Sequence, residues 1–145
     1  MRITRVEVHE YLGMTLDFRT PGEVRVNMVN CLKGMLEGLP EVITGISTIL
    51  AANHLFKVRH EDEQALLDKD RATVFHHMVA HPPFVASRAR KDINMVISFL
   101  CNLVIISYKY DWVNIVRVLR YIRDTLYMPI IIKWWVGVSF TAHPD

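Results

Sequence analysis

Three arginines spaced three residues apart are the side chains of this chain that are best suited to binding chemistry. They are Arg117, Arg120 and Arg123, in a segment whose apolar residues recur with helical spacing. Three residues of α-helix advance the axis by about 4.5 to 5 Å, which is near enough to the phosphate repeat to be usable. The row therefore predicts sequence-independent contacts with the phosphates of a nucleic acid.

The charge distribution also favours a polyanionic partner. The whole chain of 145 residues carries a formal charge of only +2, but the segment 88–124 holds seven basic residues against three acidic ones. Such a segment suits DNA, RNA or an RNA–DNA hybrid, and three arginines alone predict weak, salt-sensitive binding. A structural interpretation remains open, in which the arginines lie over their own helix and pair with Asp111, Asp124 or the acidic loop 60–70.

Other reactive side chains do not predict a catalytic or metal site. His76, His77 and His81 include one pair spaced i, i+4, but structural zinc needs four nitrogen or sulfur ligands. Cys31 and Cys101 lie in apolar helical patterns, so we expect buried, reduced thiols in an intracellular protein, either cytoplasmic or nuclear. We accordingly predict no catalytic residue, no metal ligand and no cofactor.

Composition and hydropathy favour a globular domain without a membrane partner. The chain is 51% hydrophobic and 22% charged, which argues against wholesale disorder. Its longest apolar run, 93–108, is short for a membrane span and contains polar residues, so it predicts a core helix. No secretory leader is recognised at the start of the chain.

The elements that must position these side chains predict an α+β fold in one partial domain, 1–145. A β-hairpin region over 1–28 comes first, with strand-like runs at 3–8 and 11–18 and a turn at 20–23. A mostly helical region over 29–128 follows, and a β-strand region over 129–145 ends the chain.

Three or four helices are expected in the middle region. The first begins near Asn27 or Asn30 and ends at Gly38 and Pro40, and the third begins after Asp92 as a cap. Asp111 is expected to cap the last helix, which carries the arginines. Residues 41–53 are interpreted as a connector and 54–70 as a surface loop with one helical turn. The predicted helical segments after this loop are 71–80, stopped by Pro82-Pro83, then 92–107 and 111–128.

Four blocks, taken in order, resemble copia-type retrotransposon polyproteins. In the segment 112–125, Trp112 is followed by Arg-Val-Leu-Arg-Tyr-Ile-Arg-Asp-Thr, which is similar to a segment between that family's reverse transcriptase active site and its ribonuclease H domain. Residues 9–18 resemble the hairpin after the polymerase active site. Residues 75–80 and 88–93 resemble a block that ends in Thr-Arg-Pro-Asp-Ile, and residues 134–140 resemble the opening strand of ribonuclease H.

The resemblance implies a role next to a primer, and its departures imply loss of catalysis. By position, Tyr11, Gly13 and Met14 would contact a primer end if a palm domain held the other side. The family is an RNA-directed DNA polymerase that uses Mg²⁺ held by carboxylates. The sequence contains no adjacent Asp-Asp pair, and Gly137 stands where the first ribonuclease H aspartate is expected. We therefore expect a non-catalytic fragment that retains weak nucleic-acid binding.

The alternative expectation is a protein-interaction or self-associating module with no nucleic-acid role. The run Ile130-Ile131-Ile132 precedes Trp134-Trp135, and neighbouring indoles on a strand point to opposite faces. One indole would then be exposed beside an apolar strand edge, which predicts self-association through the C-terminal strand.

Overall fold

The computed structural model describes residues 7–50, 55–56 and 65–134, and these form the α+β fold that the sequence predicts. The predicted helical middle lies between an N-terminal hairpin and a C-terminal strand. The elements in chain order are β1 (Val8–Tyr11), β2 (Met14–Asp17), β3 (Glu23–Asn27), α1 (Val29–Glu37), α2 (Lys69–Ala80), α3 (Pro82–Arg88), a 3-10 helix (Lys91–Ile93), α4 (Asn94–Cys101), α5 (Lys109–Asp124) and β4 (Ile130–Lys133).

The strands form an antiparallel sheet in the order β1-β2-β3-β4. The predicted hairpin pairs β2 with β3, with Leu16 opposite Val26. The predicted C-terminal strand is present as β4, and Ile130 lies opposite Val26. Elements from both ends of the described chain therefore share one sheet. Residues 3–6 and 135–145, where further strand was predicted, lie outside the described residues.

The prediction of one strand over 11–18 is wrong, because a tight turn divides that run. Leu12 and Gly13 both have positive φ, +49° and +78°, and Tyr11 lies opposite Met14 across the turn. A two-residue turn with positive φ at both positions matches the right-handed twist of the flanking strands. Gly13 adopts this conformation at no steric cost, whereas Leu12 adopts it under strain.

The apolar stripes of the helices face one another in a common core, and α5 contacts α1, α2 and α4. Burying each large apolar side chain contributes roughly 1.5 to 3 kcal/mol, so the stripes hold the helices together. The buried apolar residues of α5 are Trp112, Ile115, Val118, Leu119 and Ile122.

Several helix boundaries differ from the prediction. Pro82 and Pro83 end α2 as expected, but Pro82 also begins α3, because proline fits the first helical turn, where no amide partner is needed. Asp92 lies inside the 3-10 helix and does not cap α4, which ends at Cys101 rather than near Ser107. The segment 102–107 forms turns instead.

The loop predicted over 54–70 is mostly exposed where the structure describes it, and Leu55 is the buried exception. Leu66 forms a bridge with Tyr108. The Asp68 carboxylate accepts the Arg71 N–H at 2.8 Å and caps α2. Residues 54 and 57–64 of the predicted loop lie outside the described residues. In the described segments, none of the helices has both the length and the apolar character that crossing a membrane requires.

Candidate nucleic-acid interface

The arginine-bearing helix α5 starts two residues earlier than predicted. Asp111 is its third residue, so the prediction that Asp111 is the N-cap is wrong. Its carboxylate instead accepts the backbone N–H of Tyr108 at 2.9 Å, which satisfies an amide just outside the helix. Asp111 is buried, and its carboxylate forms this cap.

The three arginines follow a spiral rather than a line on α5. Each step of three residues turns about 300°, so Arg117, Arg120 and Arg123 spread over roughly 120° of the helix surface. All three are partly buried. Because of this rotation, the first and the last arginine contact different surroundings. Neighbouring arginines of the row therefore lie about 60° apart around the helix.

Arg123 is held by backbone carbonyls of the connector. Its guanidinium donates to the carbonyl oxygens of Ile43 and Gly45, and also to the Asp124 carboxylate at 2.9 Å. The other Asp124 oxygen accepts the Ser47 N–H at 2.9 Å. We call residues 43–47 the strap, because they lie across this end of α5. The ion pair between Arg123 and Asp124, at 2.9 Å, is one of the pairings that the structural interpretation allowed, whereas the strap contact was not predicted.

The pKa of Asp124 is shifted by the same contact. The Ser47 N–H and then the Arg123 guanidinium hold the pKa of Asp124 below its usual range, against a smaller opposing effect of burial. Both favourable groups stabilise the charged carboxylate, because each donates a hydrogen bond to it.

Arg120 lies against the strap without a matched acceptor. A Cβ built on Gly45 would stand 3.3 Å from its Cζ, and Gly45 has a φ of +86°. The Arg120 Nε is buried and has no hydrogen-bond partner among the described residues. Arg117 makes no hydrogen bond or ion pair within the described part of the chain. Arg117 is therefore the arginine of the row that can bind an anion without any rearrangement.

The predicted primer-contact residues lie at the turn between β1 and β2. Tyr11 is 60% exposed, whereas Met14 is partly buried against the helical core. A Cβ on Gly13 would be 3.5 Å from Met28 Cε, an ordinary contact, so its φ of +78° rather than lack of space selects glycine here. The arginines and the strap are brought together, whereas the hairpin turn contacts Met28.

Sequence reasoning missed the role of Arg90, which it counted among the basic residues of a polyanion-binding segment. The Arg90 side chain is only 2% exposed and forms two bonds to Asp92, at 2.8 and 3.0 Å. It also donates to the carbonyl oxygen of Thr125 at 3.1 Å and to its hydroxyl at 2.7 Å. Arg90 therefore joins the 3-10 helix to the end of α5. The sequence signal was the Arg-x-Asp spacing at 90–92, which the family resemblance had marked.

The other charged side chains of the segment 88–92 also form hydrogen bonds within the chain. Burial raises the pKa of Asp92, but the hydrogen bonds and the charge of Arg90 outweigh burial and leave it lowered. Arg88 donates to the Phe84 carbonyl at 3.2 Å, and Lys91 donates to the Ser87 carbonyl. Both cations donate to carbonyl oxygens of α3, so the local excess of positive charge overstates what is available to a partner.

The histidines lie at the end of α2, and Cys31 and Cys101 lie in α1 and α4. His77 and His81 contact each other edge to face with centroids 4.8 Å apart, and His81 Nδ1 lies 3.1 Å from the His77 carbonyl. The described residues contain no group of three or more side chains able to hold a metal ion. Cys31 and Cys101 are free and partly buried, and burial raises the pKa of the Cys101 thiol.

Comparison with known proteins adds no relative. No family model, no curated protein and no solved structure matches this chain. Function is therefore inferred from the arginines of α5 and their geometry.

Proposed function

We propose that this chain is a non-catalytic segment of a copia-type reverse transcriptase that retains weak, sequence-independent binding to nucleic acid through α5. The observation that carries the proposal is Arg117, which is partly exposed on α5 and has no partner among the described residues. Arg120 and Arg123 extend the same surface towards the strap, with carbonyl oxygens or no acceptor as their present neighbours.

Guanidinium groups suit phosphates because their planar fork donates two parallel hydrogen bonds to a pair of oxygens. Contacts to phosphate oxygens position a protein on a duplex without reading its sequence. If all three arginines contact phosphates, log affinity should fall with log salt at a slope of about −2.7 on duplex DNA, from about −0.9 per contact.

The proposal of a non-catalytic segment is supported by the acidic residues. Nucleotidyl transfer by two metal ions needs closely placed carboxylates to hold the metals. The sequence contains no adjacent Asp-Asp pair, and by resemblance Gly137 replaces the first ribonuclease H aspartate. Primer extension on an RNA template with Mg²⁺ or Mn²⁺ tests this part. We expect no extension above background by the purified chain, and extension would overturn it.

Fluorescence anisotropy with two duplexes of equal length and different sequence tests the binding itself. We expect equal affinities for the two duplexes. Arg117→Gln should make the salt slope less steep by about 0.9, the value of one phosphate contact. The matched control is Lys33→Gln, which removes an exposed cation from α1 instead. Equal slopes for Arg117→Gln and the parent would remove α5 from the proposal.

A second candidate is self-association through β4. This strand is at the edge of the sheet, and Ile131, Ile132 and Trp134 are 46%, 52% and 47% exposed. Exposed apolar edge strands pair with other chains unless a charge blocks them. Sedimentation velocity would then show dimers or larger species that Ile132→Lys converts to monomer. A parent that remains monomeric at all concentrations would contradict this candidate.

A further inference from the structure

We propose that the strap, residues 43–47, is an autoinhibitory segment whose carbonyl oxygens occupy the arginines that a phosphate backbone would bind. The inference rests on the proposed nucleic-acid binding and adds a conformational step to it. Bound duplex and closed strap would be alternatives at Arg120 and Arg123, whereas Arg117 would be accessible in both states.

The first support is the chemistry of the strap contact. The Arg123 guanidinium donates to two carbonyl oxygens, those of Ile43 and Gly45, which come from neighbouring positions of one backbone segment. Two oxygens accept from two different nitrogens of one guanidinium, as two oxygens of a phosphate can, but the carbonyls carry no net charge. A phosphate would therefore satisfy the same donors with an added attraction between opposite charges.

The second support is that, of Arg120 and Arg123, only Arg123 finds hydrogen-bond acceptors in the closed strap. Arg120 Nε is buried beneath the strap without an acceptor among the described residues, and its Cζ lies 3.3 Å from the Cβ position of Gly45. A buried donor without a partner is unfavourable, so displacement of the strap by an anion would remove that defect.

The third support is that the strap is held by one partly buried side chain and a few polar contacts. Ile43 packs against the helical core, and the Ser47 N–H donates to the Asp124 carboxylate at 2.9 Å. The Ile46 side chain is 82% exposed, and Val42 just before the strap is 88% exposed, so neither stabilises the closed position by burial. A segment held by few polar contacts opens at low free-energy cost.

Gly45 offers a substitution that opens the strap without changing any charge. Its φ of +86° disfavours every residue with a Cβ, and the new methyl would crowd Arg120. Gly45→Ala should therefore shift the strap towards the open state. Because apparent affinity scales with the fraction of competent molecules, we expect Gly45→Ala to bind duplex DNA about five- to tenfold more tightly than the parent.

The matched control is Gly34→Ala on α1. No heavy atom lies within 4 Å of its added Cβ, so the same chemical change is made in open space. We expect its affinity to equal that of the parent. The salt slope of parent and Gly45→Ala should be the same, about −2.7, because both reach the same complex with three phosphate contacts.

Amide hydrogen exchange at Ser47 tests the strap inference separately from the proposed nucleic-acid binding. The Ser47 N–H should be protected in the free parent and should lose that protection at saturating duplex DNA. Binding with α5-dependent salt sensitivity while Ser47 stays protected, or while Gly45→Ala binds no more tightly, would overturn the autoinhibitory strap alone. Absence of binding by both parent and Gly45→Ala would overturn the nucleic-acid function, and the strap inference with it.

Discussion

Two arginine side chains lie at the C-terminal end of α5, and they differ in the groups that accept their hydrogen bonds. Arg90 is 2% exposed in its side chain and reaches Asp92 and Thr125, which belong to two fixed helical segments. Arg123 is 33% exposed and reaches carbonyl oxygens of a strap with no regular structure. Both guanidinium groups bind backbone carbonyls, but the carbonyls that bind Arg123 belong to the strap, which can move without breaking a helix.

The difference separates structure from candidate function within one basic segment. A buried cation whose donors are matched by a carboxylate, a carbonyl and a hydroxyl stabilises the fold and is inaccessible to a partner. A partly exposed cation held by a loop can exchange its acceptors for those of a ligand. Counting charge along the sequence therefore identifies the segment but not the residues that bind.

The largest effect is expected at Arg90. Arg90→Met should lower the free energy of unfolding by about 3 kcal/mol, because it removes the bonds to Thr125 and leaves the partly buried Asp92 carboxylate without its cation. Chemical denaturation measures this change. The free energy of unfolding of Arg90→Lys should lie between those of the parent and Arg90→Met, because lysine keeps the positive charge but lacks the planar guanidinium with its several donors. A denaturation midpoint equal to that of the parent would break the distinction between the two arginines.

A smaller loss of stability is expected at the hairpin turn, far from both arginines along the chain. Gly13→Val places a β-branched residue at a φ of +78°, and such backbone strain costs of order 1 to 3 kcal/mol. Duplex binding should be unchanged, because α5 supplies the contacts. Leu12→Gly is the control, since it relieves strain at the neighbouring position and should not destabilise the turn. An unchanged melting temperature in Gly13→Val would contradict the assigned turn.

Acidification should sharpen the comparison at the two aspartates beside these arginines. Both folded pKa values are lowered, so each carboxylate stabilises its contact above the unfolded value of about 3.9, and this stabilisation is lost as pH falls through the folded pKa. Protonation of Asp92 should reduce global stability. Protonation of Asp124 should only release the strap, which is seen as faster Ser47 amide exchange. Loss of both signals in one global step would contradict this separation.

Sequence patterns predicted the elements best where residues with backbone restrictions mark the boundaries. Gly38 ends α1 as predicted, although its φ of −79° is one that any residue adopts, and Pro82 follows the end of α2 because proline lacks the amide that would continue that helix. The turn at Leu12 and Gly13 was missed because leucine rarely adopts positive φ, so the run resembled one continuous strand. Periodicity could not reveal the turn, since the alternation of side chains continues on both sides of it.

The sequence predicted which residues form the candidate site but not which groups surround them. The spacing of the arginines on one helix followed from the 3.6-residue period. The strap contact joins residues 80 and 78 positions apart, and no local pattern encodes such a pairing. Burial of Arg90 is likewise a tertiary property, because arginine is exposed unless matched partners surround it. Asp92 and Thr125 supply those partners from opposite sides.

The salt dependence of duplex DNA binding tests the central claim most directly. The parent should show a slope of about −2.7 in log affinity against log salt, and the triple variant Arg117→Gln, Arg120→Gln, Arg123→Gln should show a slope near zero with a retained fold. The corresponding triple lysine variant should keep most of the slope if the charges act as points. A triple glutamine variant that binds as tightly as the parent, with an unchanged slope, would contradict the account.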